Sequence, residues 1–209
     1  MNRMEERKLV FLFPSKAHKP VGGVKIALEY ANRFAEDGYQ VELLYPIHIY
    51  GKRGIFRRLY DVMRYIKFRN RFSVNSWFPL NGKIEETVLY DFRKLPEADV
   101  YICTSVETAI ALNSAEKNHG ARCFYFIQGF EDWNVTTDEL LKTYQYPFTK
   151  IAIAPHLVEI VRKEGEECLL APNGFDPKVL PLSVDFQRIT SFQESATRTA
   201  TLLPLAAIE

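Results

Sequence analysis

Residues 8–45 read KLVFLFPSKAHKPVGGVKIALEYANRFAEDGYQVELLY, and this stretch decides the fold class. Lys8 to Phe13 is a short continuous apolar run, the pattern of a strand covered on both faces. Pro14 stops it, and a loop containing Pro20, Gly22 and Gly23 follows. From Val24 to Asp37 the period becomes helical. Ile26, Tyr30 and Phe34 are spaced by four, as are Ala27, Ala31 and Ala35, so together they predict one apolar helix face. Gly38 sits where a left-handed cap ends such a helix, and Gln40 to Tyr45 reads as a second strand. Strand, glycine loop, helix and strand make a βαβ unit.

The same alternation resumes further along. Asp99 to Thr104 reads as a strand, Ser105 as the cap of a helix from Val106 to Asn118, and Gly120 as its terminator. Ala121 to Ile127 is a further buried strand, and Ile151 to Ala154 a short one. Pro155 suits the first turn of a helix to Glu164, closed by Gly165, and Glu167 to Leu170 is the last strand. Apolar strands alternating with helices predict an α/β, Rossmann-like parallel sheet with helices on both faces.

Composition bounds the function. At about 100–200 residues per domain, 209 residues make one domain, expected over 1–182, with an irregular tail over 183–209. Twenty-seven Lys+Arg against 26 Asp+Glu leave a net charge of +1, which speaks against a global nucleic-acid binder. No apolar run approaches the ~18 residues of a membrane span, and MNRMEERKLVFLFP does not read as a secretory signal. A cytoplasmic protein is expected. Cys103, Cys123 and Cys168 lie far apart in apolar settings, without metal-ligand spacing, and read as reduced core residues. No metal is expected.

One segment breaks the rhythm. Residues 52–71, KRGIFRRLYDVMRYIKFRNR, hold eight Lys/Arg and one Asp, a local charge of +7 against −6 for the rest of the chain. Phe56, Leu59, Tyr60, Met63 and Ile66 fall mostly on one helical side, with Arg57, Arg58, Arg64 and Lys67 among the flanking basic residues. Such a helix can lie on an anionic bilayer, placing the protein on the inner face of a membrane. It can equally pack on the sheet edge with its charges solvated; a polyanionic partner is a lesser option.

The loop Lys16 to Lys25, KAHKPVGGVK, sits at the carboxyl edge of the sheet, where ligands of such folds bind. Gly22 and Gly23 let backbone approach a ligand, and Lys16, His18, Lys19 and Lys25 add positive charge. The loop is neither GxGxxG nor GxxxxGK[ST], and the glycine pair is equally compatible with a tight turn. A flavodoxin- or dehydrogenase-type enzyme is disfavoured, because Glu42 lies within the second strand rather than at its end.

In this order the pieces resemble the amino-terminal half of a GT-B glycosyltransferase of family 4. GGVKIALEYANRFAEDGYQVELLY is similar to the family's opening, ADVYICTSVETAIAL to its mid-domain strand and helix, and IAIAPHLVEIVRKEG to a later strand and helix. In LLAPNGFDPKVL, Asn173, Gly174 and Asp176 resemble the NG-x-D element that enters the interdomain linker. FIQGFEDW is similar to rhamnosyltransferase-like members that assemble surface polysaccharides. The resemblance covers residues 8 to about 182.

It implies a retaining transfer of a hexose or deoxyhexose from a nucleotide-sugar to a glycan or lipid-linked acceptor. Gly22, Gly23, Val24 and Lys25 would line the cleft. Gln128 stands where many members carry histidine; an amide can hold a sugar hydroxyl but cannot exchange a proton near neutral pH. Glu131 and Asp132 beside Trp133 suit sugar binding, or else a helix cap with a packing tryptophan. The family's second domain grips the donor diphosphate with basic residues. Only 33 residues follow Asp176, with no Glu-x7-Glu pair and no lysine in 183–209. The chain alone is therefore expected to be inactive, with no permanently bound cofactor. The nucleotide-sugar would be held only with a C-terminal donor-binding domain. The alternative is a non-catalytic Rossmann-like module binding a membrane or a partner.

Overall fold

The structure, a computed structural model, describes residues 7–17, 19–48, 55–68, 74–117 and 119–174. Seven strands, β1 (Lys8–Leu12), β2 (Gln40–Pro46), β3 (Glu85–Leu89), β4 (Val100–Cys103), β5 (Arg122–Ile127), β6 (Thr149–Ala152) and β7 (Cys168–Leu170), form one sheet in the order β3-β2-β1-β4-β5-β6-β7. Every neighbouring pair is parallel. The helices are α1 (Gly22–Glu36), α2 (Ile55–Phe68), α3 (Val106–Ser114), α4 (Thr137–Tyr144) and α5 (Pro155–Lys163). This is the Rossmann-like α/β architecture expected from the alternating pattern.

The apolar strands are continuous because both faces are covered. Leu9, Phe11, Val41, Leu43, Ile102, Phe124 and Ile151 bury on the side of α1, with Ala27, Leu28, Ala31 and Phe34 of that helix. Val10, Leu12, Leu44, Tyr101, Tyr125 and Ala152 bury on the other side, under Val106 and Leu112 of α3, Leu140 and Tyr144 of α4 and Val158 of α5. Each Val, Leu, Ile or Phe side chain among them removed from water contributes roughly 1.5–3 kcal/mol.

Several boundaries differ from the expectation, each for an identifiable reason. α1 starts at Gly22, so the glycine pair forms its first turn instead of the preceding loop. Its buried face takes Leu28, while Ile26 and Tyr30 are half-buried at the margin. α3 stops at Ser114, because Ala115 turns extended and Glu116 pairs in parallel with Lys94. Gly120, at φ +84°, serves the turn before β5 instead of ending the helix. β6 begins at Thr149, where pairing with Phe124 starts, and ends early because Ala154 is already the cap of α5. Gly38 and Gly165 do adopt the left-handed conformation that follows a helix end. β3 and α4 lie in stretches to which the sequence pattern assigned nothing. His18, Asp176 and the expected tail 183–209 lie outside the described residues.

Candidate functional site

The strand order reverses beside β1: the chain runs outward to β2 and β3 on one side and to β4 through β7 on the other. At such a switch point the loops after β1 and β4 diverge and leave a crevice at the carboxyl edge. Thr104 closes its floor: its N–H and Oγ1 both donate to the Leu12 carbonyl, at 3.3 and 2.9 Å.

The loop after β1 is pinned from outside the crevice. Lys16 Nζ pairs with Glu86 Oε2 of β3 at 2.9 Å and lies over the Tyr45 ring, and Trp77 Nε1 donates to the Ala17 carbonyl at 3.1 Å. Lys16 is thus committed to an internal carboxylate, and burial beside Glu86 pushes the Tyr45 phenol far up. These anchors deliver the chain into α1 at Val21, which is extended and supplies no side-chain cap. The Lys25 N–H already donates to the Val21 carbonyl, whereas Gly22, Gly23 and Val24 form the helix start ahead of it. Gly22 is exposed, Gly23 and Val24 are half-buried, and Lys25 is exposed.

Gln128, directly after β5, reaches the same place. A Cβ on Gly23 would stand 3.2 Å from Gln128 Oε1, so the glycine is what permits this approach. Gln128 Oε1 is enclosed yet has no hydrogen-bond partner. A buried acceptor left unmet costs about 1–3 kcal/mol, so the pairing of this amide with a helix start is an incomplete hydrogen-bonding site.

Three residues on, Glu131 caps a helix remote in sequence: its Oε2 accepts from the Val106 N–H of α3 at 3.0 Å. Burial pushes its carboxyl up to about 7; the Val106 N–H opposes this and the nearby Glu107 adds to it. Asn134 Nδ2 donates to Glu107 Oε1 at 2.7 Å, a second tie between this loop and α3. The expected helix-cap role is therefore present for Glu131, but on the helix after β4. The tryptophan does not pack: Trp133 is 70% exposed, and Asp132 is exposed beside it.

Asn173 and Gly174 are exposed just beyond β7, four strand spacings or roughly 19 Å from β1. Ser105 caps α3 as expected, in a capping box with Thr108. Cys103 and Cys168 are buried and Cys123 is half-buried, all free; burial raises each thiol, that of Cys168 to about 11. Among the described residues no cluster of His, Cys, Asp or Glu is placed to hold a metal ion.

No family model matches the chain, and no curated protein matches it. Two solved structures of Anabaena Alr3699/HepE are similar to it. The first, in complex with UDP-glucose, has a TM-score of 0.47 at 15% identity, over 90% of this chain and 49% of that one. The second, in complex with UDP and glucose, has a TM-score of 0.48 at 13% identity, over 90% and 50%. The chain spans about half the length of these structures.

Proposed function

We propose that this chain is the acceptor-side half of a GT-B glycosyltransferase resembling family 4 and its rhamnosyltransferase-like, polysaccharide-assembling members. In the complete enzyme a hexose or deoxyhexose passes from a nucleotide-sugar to a glycan or lipid-linked acceptor. The observation that carries this reading is the glycine-built, uncapped start of α1 facing the enclosed, unpartnered Gln128 Oε1 at the switch point. A sugar hydroxyl is a donor of the kind that amide lacks.

In this reading Gly22, Gly23, Val24 and Lys25 line the cleft, Gln128 orients the acceptor, and Asp132 meets it from the loop beyond β5, where Glu131, expected beside it, instead holds the Val106 N–H of α3. Asn173 and Gly174, with Asp176, lead toward a separate donor-binding domain. The diphosphate is stabilised from that side: the cleft offers Lys25, whereas Lys16 is engaged by Glu86. The protein works in the cytoplasm.

Radiolabelled nucleotide-sugars, offered with a lipid-linked acceptor extract, test this. The chain alone should give no transfer, and a mixture with the donor-binding domain should give transfer that Gln128→Ala weakens. Turnover by the chain alone would refute the division of labour. Absence of transfer in the mixture, with folding intact, would favour the non-catalytic module instead.

A further inference from the structure

We propose that α2 is an in-plane anchor that seats this protein on an anionic bilayer surface. The proposal goes beyond the transferase reading and does not depend on it. An amphipathic helix in a globular domain turns its apolar stripe to the core. In α2 the stripe faces solvent: Phe56, Leu59, Tyr60, Met63 and Ile66 are 86%, 59%, 55%, 63% and 59% exposed. The inward side carries Asp61, Val62 and Tyr65, none of them exposed. Its fastening is polar, with His48 Nδ1 3.3 Å from Asp61 Oδ2 and both side chains nearly enclosed.

Five large apolar side chains held outward on one helix form the kind of patch that marks an interaction surface. Charge selects the occupant. Residues 52–71 carry eight Lys/Arg and one Asp, while the rest of the chain sums to −6. At 100° per residue, positions 57 and 64 fall beside the stripe and Lys67 within it; position 58 falls on the side of 61, 62 and 65. Apolar side chains that enter the acyl boundary, flanked by cations that meet headgroup phosphates, fit an anionic lipid surface. No helix among the described residues is long and apolar enough to cross a membrane. His48 follows β2 by two residues, so the fastening of α2 is at the carboxyl edge of the sheet, the edge that bears the crevice.

Co-sedimentation of the full chain with vesicles of phosphatidylcholine alone, or mixed with phosphatidylglycerol, tests the anchor. Binding should be about tenfold or more stronger on the anionic vesicles and should weaken with added salt. Leu59→Glu with Met63→Glu, at exposed positions, should abolish it with an unchanged circular dichroism spectrum. Arg57→Glu with Arg64→Glu should lower it at least about tenfold. Equal binding to neutral vesicles, or binding retained in the Leu59/Met63 variant, would overturn the proposal. So would a chain that ignores vesicles but self-associates through the same stripe, since a second copy would then be the occupant.

Discussion

Two helices begin at the carboxyl edge of the sheet on either side of the switch point, and their starts are finished in opposite ways. At α3 the protein supplies every element of closure. Ser105 accepts from the Thr108 N–H and Thr108 returns a bond to the Ser105 N–H, while Glu131 takes the Val106 N–H from a separate loop. At α1 there is no side-chain cap, two glycines form the first turn, and the nearest amide oxygen has no partner. A helix start carries the same free donors and the same partial positive charge wherever it occurs. What distinguishes a structural one from a binding one is whether the fold itself satisfies them. By that criterion α1 is the open end, and the carboxylate most suggestive of chemistry, Glu131, is already employed at the closed one.

The comparison is broken most forcefully at Glu131. Its carboxyl titrates near 7 in the folded protein and near 4.5 when exposed, so between those values the folded state keeps a proton that the unfolded state releases. Stability from this group is therefore full below about pH 4.5, falls as pH rises, and is lost above about pH 7. Glu131→Gln keeps an acceptor for the Val106 N–H and removes the ionisation. In urea denaturation the variant should match the parent near pH 4.5 and exceed it by about 1–3 kcal/mol at pH 8. A constant difference across that range would mean that Glu131 ionises freely. Next in size is Ser105→Ala, which strips the cap and should cost about 1–2 kcal/mol at all pH values. Hydrogen exchange should locate that loss in the first turn of α3.

How much of this was readable beforehand depends on what each signal reports. The βαβ opening was legible because β1 is apolar from Leu9 onward and Gly38 marks the end of α1. β3 was not, since Glu85–Leu89 is an edge strand that is half-buried or exposed along its whole length, with no apolar run. α4 left a local signal, the Thr136 and Glu139 capping box, but its eight residues contain too few turns for a period to emerge. The end of α3 was misplaced because the pairing of Glu116 with Lys94, a tertiary contact, won over the local glycine. In α2 the periodicity identified an apolar stripe without saying what it faces; the inward Asp61 and its bond to His48 decide that, and no spacing rule anticipates them. The contact of Gly23 with Gln128 joins the first turn of α1 to the start of the loop after β5, far apart in sequence, and follows only from the strand order.

That contact supplies the smallest effect on stability and the sharpest test of the comparison. The glycines at the start of α1 look interchangeable in sequence, yet a Cβ on Gly22 meets nothing within 4 Å, while one on Gly23 presses on Gln128 Oε1 at 3.2 Å. Neither has a positive φ, so alanine is sterically permitted by the backbone at both. Gly22→Ala should be neutral or stabilising by up to about 0.5–1 kcal/mol, through the reduced freedom of the unfolded chain. In Gly23→Ala that gain is offset by displacement of the Gln128 amide, for a net change within about 1 kcal/mol. The two variants should therefore be nearly equal in thermal unfolding and differ in saccharide titration followed by amide chemical shifts, where only Gly23→Ala loses the response at Gln128. If both variants kept that response, the open end of α1 would be a helix start that merely lacks a cap.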